Sequence, residues 1–284
     1  MRPSEPLERF ARQEGSAVVV DRRRGSLDEV AAAIGLSLDI CWSDKAGEAA
    51  EHPVWIGLLV PRGQTGGNDL PKFVDTASGR YVRLVDRFFV HQTPGPEIAA
   101  ALFNTIAGLY DRVTQPEINK QMARTLVRAV VTGRTEKRLR VLDFGCGTGI
   151  AYVVCHEDPN CTRRVELIGT DLSAAMRELA TKRGQQTLSL DEWRTRPQQW
   201  LDGAIAVFVL HYGVPVEDLR VLAEQLKPAA RFAANFFKPA EGAVDALISA
   251  LAQSGLTLED RYELHATHGQ NEVLVFEKES ERSR

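Results

Sequence analysis

The second half of the chain alternates between two periodicities. Residues 165–170, 203–210 and 231–237 are short apolar runs that read as strands, and the middle one is apolar at nearly every position, as in a strand buried on both faces. Residues 186–190 read as a further short strand. Between the runs, apolar residues recur at helical spacing: Val216, Leu219, Leu222, Ala223 and Leu226, then Val244, Leu247, Ile248 and Leu251, with Gly255 as a C-terminal cap. Strand and helix in alternation predict a parallel sheet covered on both faces. The last two strands, 256–264 and 271–278, are joined only by residues 265–270, which predicts an antiparallel hairpin at one edge.

Upstream the pattern differs. Residues 17–20 are an apolar run, and Ser26 with Glu29 makes a capping-box start for a helix over 27–34. Residues 54–60 are β-branched and apolar, 61–69 are a loop by composition, and 72–76 and 80–90 read as two strands about Ser78-Gly79. A small α+β unit over residues 1–93 is expected. After Thr93-Pro94-Gly95-Pro96 the spacing turns helical, at Ile98, Leu102, Ile106, Leu109 and Val113. A second helix carries Ile118, Met122, Leu126 and Val130 behind a Thr114/Glu117 capping pattern. The expected second domain is 94–284.

Bulk properties narrow the class. With 284 residues the chain can bury a full core, and a net charge of −3 gives no basic footprint, which argues against nucleic acid as a partner. Arg22-Arg23-Arg24 reads as a solvated turn. No apolar run has the length of a membrane span or the character of a signal peptide, so a cytoplasmic protein without membrane contact is expected. Cys41, Cys146, Cys155 and Cys161 form no C-x-x-C, and no His pair stands at ligand spacing, so no metal site is expected.

The candidate chemistry begins at Val141-Leu142-Asp143-Phe144-Gly145-Cys146-Gly147-Thr148-Gly149. An apolar strand ends in a carboxylate, three glycines follow at alternate positions, and the residues up to Cys155 begin a helix. A glycine loop of this kind lets backbone lie close against a ligand, and the helix N-terminus favours an anionic group. The dinucleotide fingerprint needs a third glycine where Ile150 stands, and the Gly-Lys-Ser/Thr of a P-loop is absent. Cys146 reads as a small packing residue inside the loop. Asp171 ends the next strand about twenty positions beyond the glycines, where one carboxylate can accept both hydroxyls of a ribose.

The order Asp-x-Gly-x-Gly-x-Gly, the Asp171 strand end, the Leu226–Phe232 run LKPAARF and the closing hairpin together resemble the Rossmann-like (class I) S-adenosylmethionine-dependent methyltransferases, over roughly residues 98–284. The resemblance implies a seven-stranded, mostly parallel sheet with an antiparallel last strand, preceded here by the small α+β domain. It implies S-adenosyl-L-methionine as cofactor, its methionine part against Asp143, Gly145, Cys146, Gly147, Thr148 and Gly149. The segment FNTIAGLYD is similar to the helix preceding the core of small-molecule methyltransferases, including those of quinone biosynthesis, and implies that Tyr110 touches the cofactor carboxylate. Asp191 would stand beside the adenine amino group, with the Glu192 backbone at the ring and Trp193 as an apolar wall; Leu172 and Leu210 complete the implied cofactor set. The family's LKPGG turn has alanines here, which implies a less tight turn.

The expected reaction is methyl transfer to a small-molecule acceptor. The rivals are a nicotinamide oxidoreductase, which the glycine spacing disfavours, a methyltransferase-like protein that cyclises its substrate or only binds the cofactor, and a nucleic-acid methyltransferase reading through residues 1–93. His211 and His268, with His265 beside the latter, would reach the C-terminal edge of the sheet as candidate bases. Alignment alone suffices for an acceptor that is already nucleophilic.

Overall fold

Residues with β-branched and aromatic side chains assemble the first sheet. The structure is a computed structural model that describes residues 9–10, 15–42, 54–61, 70–84, 88–92, 95–114, 116–237, 242–266 and 269–280. By its internal contacts the chain divides into two compact units, residues 1–115 and 116–284. The first holds β1 (Ser16–Asp21), α1 (Leu27–Ala33), β2 (Leu36–Trp42), β3 (Val54–Pro61), β4 (Phe73–Thr76), β5 (Gly79–Leu84), β6 (Phe88–His91) and α2 (Pro96–Ile106). The strand order is β2-β3-β1-β6-β5-β4, with β1 and β6 parallel and the other pairs antiparallel. Val18, Val20, Val30 and Phe89 pack in one cluster on this sheet.

Three details differ from expectation. Strand β2 was not anticipated, although Leu36, Leu38, Ile40 and Trp42 alternate with polar neighbours at a strand's period of two. The run 80–90 is two strands, with Leu84 opposite Phe88 in an antiparallel pair. Half of the expected capping box forms: Ser26 Oγ accepts from Glu29 N at 3.1 Å, but the Glu29 carboxylate accepts from Ser78 N at 3.2 Å.

Helix α2 shifts the division between units. It buries Ile98, Ala99, Ala101, Leu102 and Ile106 and lies against β1 and β3, so its apolar face is part of the first unit. The division consequently falls at 115/116 and not at 93/94. The next helix, α4 (Pro116–Val131), follows a short α3 (Tyr110–Val113). Among the described residues the Thr114 hydroxyl has no partner, and α4 opens on Pro116, whose ring suits a first turn.

The second unit continues with β7 (Leu139–Phe144), α5 (Ile150–Glu157), α6 (Pro159–Arg164), β8 (Val165–Thr170), α7 (Ala174–Lys182), β9 (Gln186–Leu188), α8 (Leu190–Arg194), β10 (Leu201–Ala206), α9 (Val216–Gln225), β11 (Leu226–Phe237), α10 (Ala243–Gln253), β12 (Leu256–Ala266) and β13 (Gly269–Lys278). Its seven strands run in the order β12-β13-β11-β10-β7-β8-β9. Only β13 opposes its neighbours; the pairs among β11, β10, β7, β8 and β9 are parallel. The pleat sends successive residues to opposite faces. Val141 and Ile205 pack with Met122, Leu126 and Val154 of α4 and α5, while Leu142 and Ala204 pack with Leu222 of α9 and Leu251 of α10. Helices cover both faces, and the strand ends are left to form the site.

The LKPAARF run shows how a turn survives without glycine. Helix α9 ends at Gln225, and residues 226–230 make a bulge at the start of β11, where Leu201 pairs with Leu226 but Gly203 with Arg231. Ala229 takes a left-handed φ of 59°, where its Cβ crowds its own carbonyl, and its methyl is exposed. Ala229→Gly is expected to stabilise the protein by roughly 0.5–1 kcal/mol, the relief of a left-handed alanine less the chain entropy of glycine. The denaturant midpoint measures it; a fall in that midpoint would mean the bulge prefers alanine.

Candidate functional site

The glycine loop sits at the C-terminal end of β7, between the middle of the sheet and the start of α5. Gly145, Gly147 and Gly149 all have left-handed φ, at 73°, 53° and 85°. The first two need glycine for different reasons. A Cβ on Gly145 would lie 2.4 Å from Val209 Cγ2, so its bareness lets the turn after β10 close onto the loop. A Cβ on Gly147 would meet nothing within 4 Å, so its bareness keeps open a space that backbone faces directly.

The loop amides are spent inside the protein. Gly145 N and Cys146 N both donate to the Thr170 carbonyl, at 2.8 and 2.9 Å, and Gly149 N donates to Cys146 O at 2.9 Å. Gly147 N donates to Asp171 Oδ2 at 2.9 Å. What these four residues offer a ligand is therefore close contact, not a ring of free donors. Thr148 is buried, and its hydroxyl accepts from Arg183 Nη1 at 3.1 Å. Cys146 is buried beneath Gly169, and burial pushes its thiol well above the ordinary range, which fits a packing role.

Asp171 joins the two strand ends. Its Oδ1 accepts from Ser173 N at 2.8 Å, and Ser173, not Asp171, caps α7 by accepting from Met176 N. Burial raises the Asp171 pKa despite these two backbone donors. Leu172 beside it is half-buried.

Asp143 lies below the loop at 1% exposure. Gln185 Nε2 donates to its Oδ2 at 3.1 Å. Burial, reinforced by the Asp171 charge, raises its pKa to about 7. The sequence pointed to Asp143 but not to Gln185, whose amide oxygen is buried without a partner.

Strand β10 ends at Ala206, earlier than expected, because Phe208 takes a left-handed φ of 56°. A bulky residue in that region is strained and needs outside support. The support is a buried amide pair: Phe208 N donates to Asn235 Oδ1 at 2.7 Å, and Asn235 Nδ2 donates to Asn271 Oδ1 at 3.1 Å. Sequence reading missed this trio. The available signal was Asn235, an amide inside the otherwise apolar run of β11.

Beyond Phe208, Leu210 is buried and His211 lies on a 3₁₀ turn. The imidazole lies 4.2 Å from the Tyr212 ring and 5.9 Å from Phe237, centroid to centroid, and Phe208 meets Phe237 edge-on at 5.9 Å. Among the described residues His211 Nδ1 is buried without a partner, and burial lowers the pKa to about 3. A base this weak is poorly matched to proton transfer near neutrality. His268 lies outside the described residues, and nothing is assigned to the His265 side chain.

The adenine set implied by resemblance is not gathered. Asp191 has a 95% exposed side chain, 3.4 Å from Arg194. The Glu192 carboxylate closes a capping box with Ser189, accepting from its backbone N at 2.8 Å. Trp193 is fully buried with its ring edge-on to Phe144 at 5.2 Å. It is a core residue and not a wall, because a five-residue helix closes over the end of β9 and turns the indole inward. Tyr110 opens α3 in the first unit, its ring edge-on to Phe103 at 6.1 Å. Among the described residues no helix is long and apolar enough to cross a membrane.

Comparison with known proteins agrees with this arrangement. A family model described as a methyltransferase domain matches residues 114–237. No curated protein matches the chain in sequence. Among solved structures, the [4+2]-cyclase SpnF aligns with a TM-score of 0.54 at 14% identity, over 66% of this chain and 98% of its own. The 1,6-didemethyltoxoflavin N1-methyltransferase of Burkholderia thailandensis, solved with 1,6-didemethyltoxoflavin and S-adenosylhomocysteine, aligns with a TM-score of 0.50 at 18% identity, over 71% of this chain and 96% of its own. Likeness at this identity carries the fold and not the reaction. The matched domain and the strand order together give the second unit the Rossmann-like fold seen in S-adenosylmethionine-dependent methyltransferases, with the Asp-x-Gly-x-Gly-x-Gly loop at the end of its first strand.

Proposed function

We propose that the second unit binds S-adenosyl-L-methionine at the glycine loop and transfers its methyl group to a small-molecule acceptor. The observation that carries this reading is the bare Cα of Gly147 facing open space while its N–H is tied to Asp171. A ligand seated there lies within reach of the Asp171 carboxylate, a group suited to a ribose diol. When bound, the cofactor supplies a sulfonium methyl already activated for in-line displacement.

What remains for this chain is alignment and exclusion of water. Gly147 permits close approach, and Asp171 fixes the orientation of the sugar. Phe208, His211 and Phe237 form an apolar, aromatic wall at the strand ends, held by the strained turn and its amide pair. Such a wall favours a flat, apolar acceptor. His211, neutral at physiological pH, acts there by shape. The first unit is proposed as an accessory domain; 18% identity to the 1,6-didemethyltoxoflavin N1-methyltransferase supports the fold of the second, and the acceptor is this reading's own inference.

Calorimetric titration tests the cofactor: S-adenosylhomocysteine should bind and NAD should give no measurable heat. The reverse result would overturn the reading. Once an acceptor is found, His211→Gln is expected to lower turnover less than tenfold, whereas losing a true general base costs about 10²–10⁴-fold. A loss in that larger range, with cofactor affinity unchanged, would restore His211 as the base.

A further inference from the structure

Helix α5 ends at Glu157, and the extended backbone of Asp158 turns the chain before α6 starts at Pro159. Asp158 Oδ1 caps the new helix by accepting from Asn160 N at 2.9 Å, and Thr162 Oγ1 donates to the Cys155 carbonyl at 2.7 Å. The break leaves an open recess of about 260 Å³ among α4, α5 and α6. Its α4 side is a single stripe, since Arg124, Val127, Arg128 and Val131 stand at intervals of three and four residues. Val154 of α5 and Val165 at the start of β8 extend the apolar lining, and Arg164 adds a third guanidinium.

The charges around the recess do not cancel. Glu157 is matched by Arg124 at 2.9 Å and by Lys120 at 3.2 Å. Asp158 is then the one acidic lining residue left to set against Arg128 and Arg164. Arg164 Nη2 donates to the Arg134 carbonyl at 2.7 Å, a neutral partner. The exposed Arg128 guanidinium makes no hydrogen bond or ion pair among the described residues. One positive charge is therefore in excess beside four valines. A monoanion neutralises that excess, a dianion overshoots it, and the valines favour an apolar body. The two oxygens of a carboxylate also match the planar fork of a guanidinium.

We infer that this recess binds a small monocarboxylic acid, its carboxylate on Arg128 and its apolar chain over Val127, Val131, Val154 and Val165. The volume suits a molecule of fragment size, since sites for drug-sized ligands run to about 300–1,000 Å³. The glycine loop lies at the opposite end of α5, so occupancy of the recess needs no cofactor and does not depend on the methyl-transfer reading.

NMR of the full chain with isotope-labelled valine methyls reads the site directly. Hexanoate is the anionic probe, hexanol the uncharged one of equal chain length, and inorganic phosphate the anion without a chain. Hexanoate should shift the methyl signals of the four lining valines along a saturable curve. Hexanol and phosphate should bind at least about tenfold more weakly, the lower end for a hydrogen bond to a charged group. Arg128→Gln should weaken hexanoate by about the same factor and leave hexanol unchanged. Arg163→Gln, an equal change of charge at an exposed position of α6 outside the recess, should leave hexanoate binding as it was. The inference fails if hexanol or phosphate binds as tightly as hexanoate, if the signals that shift belong to other valines, or if the two arginine variants behave alike. Arg128 is exposed, so its replacement should not unfold the chain, and the comparison of the three probes on the wild-type protein needs no variant.

Discussion

Asp143→Asn is expected to stabilise the protein by up to about 4 kcal/mol near pH 8 and by almost nothing near pH 4. The wild-type carboxyl is buried, and its pKa stands at about 7 against an ordinary 3.8. An acid whose folded pKa is raised stabilises the fold in its protonated form. That stability is fully present below the unfolded value of 3.8 and is lost as pH rises toward about 7. Above that the fold carries a buried anion beside Asp171. At ~1.4 kcal/mol per pH unit the gap amounts to about 4 kcal/mol. Asparagine keeps the shape, cannot ionise, and offers both a donor and an acceptor to Gln185, whose amide oxygen lacks a partner.

Denaturant unfolding of both proteins across this range is the measurement. His211 has the opposite sign, since its lowered pKa weakens the fold as pH falls from 6.5 through about 3, but it is common to both proteins and cancels in the difference. The two stability curves should converge at low pH and separate as pH rises. Parallel curves would mean that Asp143 is ionised in the fold at every pH tested.

The second large effect is expected from Asp171→Ala. The carboxylate accepts from Gly147 N and Ser173 N, so its removal leaves two buried N–H groups without partners, at roughly 1–3 kcal/mol each. Stability should fall by about that sum at most, because water reaches some of the space vacated. Affinity for S-adenosylhomocysteine should fall independently, by roughly 1–3 kcal/mol or about 5- to 150-fold in Kd, if the diol loses its acceptor. Stability comes from denaturant unfolding without ligand, affinity from calorimetry at a temperature where the variant is folded. A folded variant that binds normally would leave Asp171 as a loop clamp and remove it from the cofactor site.

The loop and the sheet were legible in sequence because each rests on local rules. Alternate glycines at the end of an apolar run require a backbone that only glycine adopts cheaply, and all three do adopt it, with φ between 53° and 85°. Strand–helix alternation specified parallel pairing, and the short link before β13 specified the one reversed strand. Even the substituted LKPAARF turn formed, with Ala229 accepting the conformation that a glycine takes without strain.

What composition and spacing left open was decided by side chains that meet from distant parts of the chain. Gln185 reaches Asp143 across 42 positions, and Asn235 reaches Asn271 across 36. A local pattern marks at most one member of such a pair, as Asn235 in the apolar run of β11, because a buried amide is stable only with its partner in place. The division between units moved for the same reason: α2 has an amphipathic pattern that would suit either unit, and contact with β1 and β3 assigned it to the first. Residues 191–193 read equally well as part of a ligand site or as an exposed turn, and burial against Phe144 put Trp193 in the core. His211 kept its place at the strand end, but its basicity was set by the surfaces that bury it, a property of the folded environment and not of the residue. Sequence determined most of the strands of the second unit and the loop's conformation, since these follow from backbone preference and periodicity. Tertiary structure decided which polar groups are satisfied, charged or hidden, since burial and pairing exist only once the chain has closed on itself.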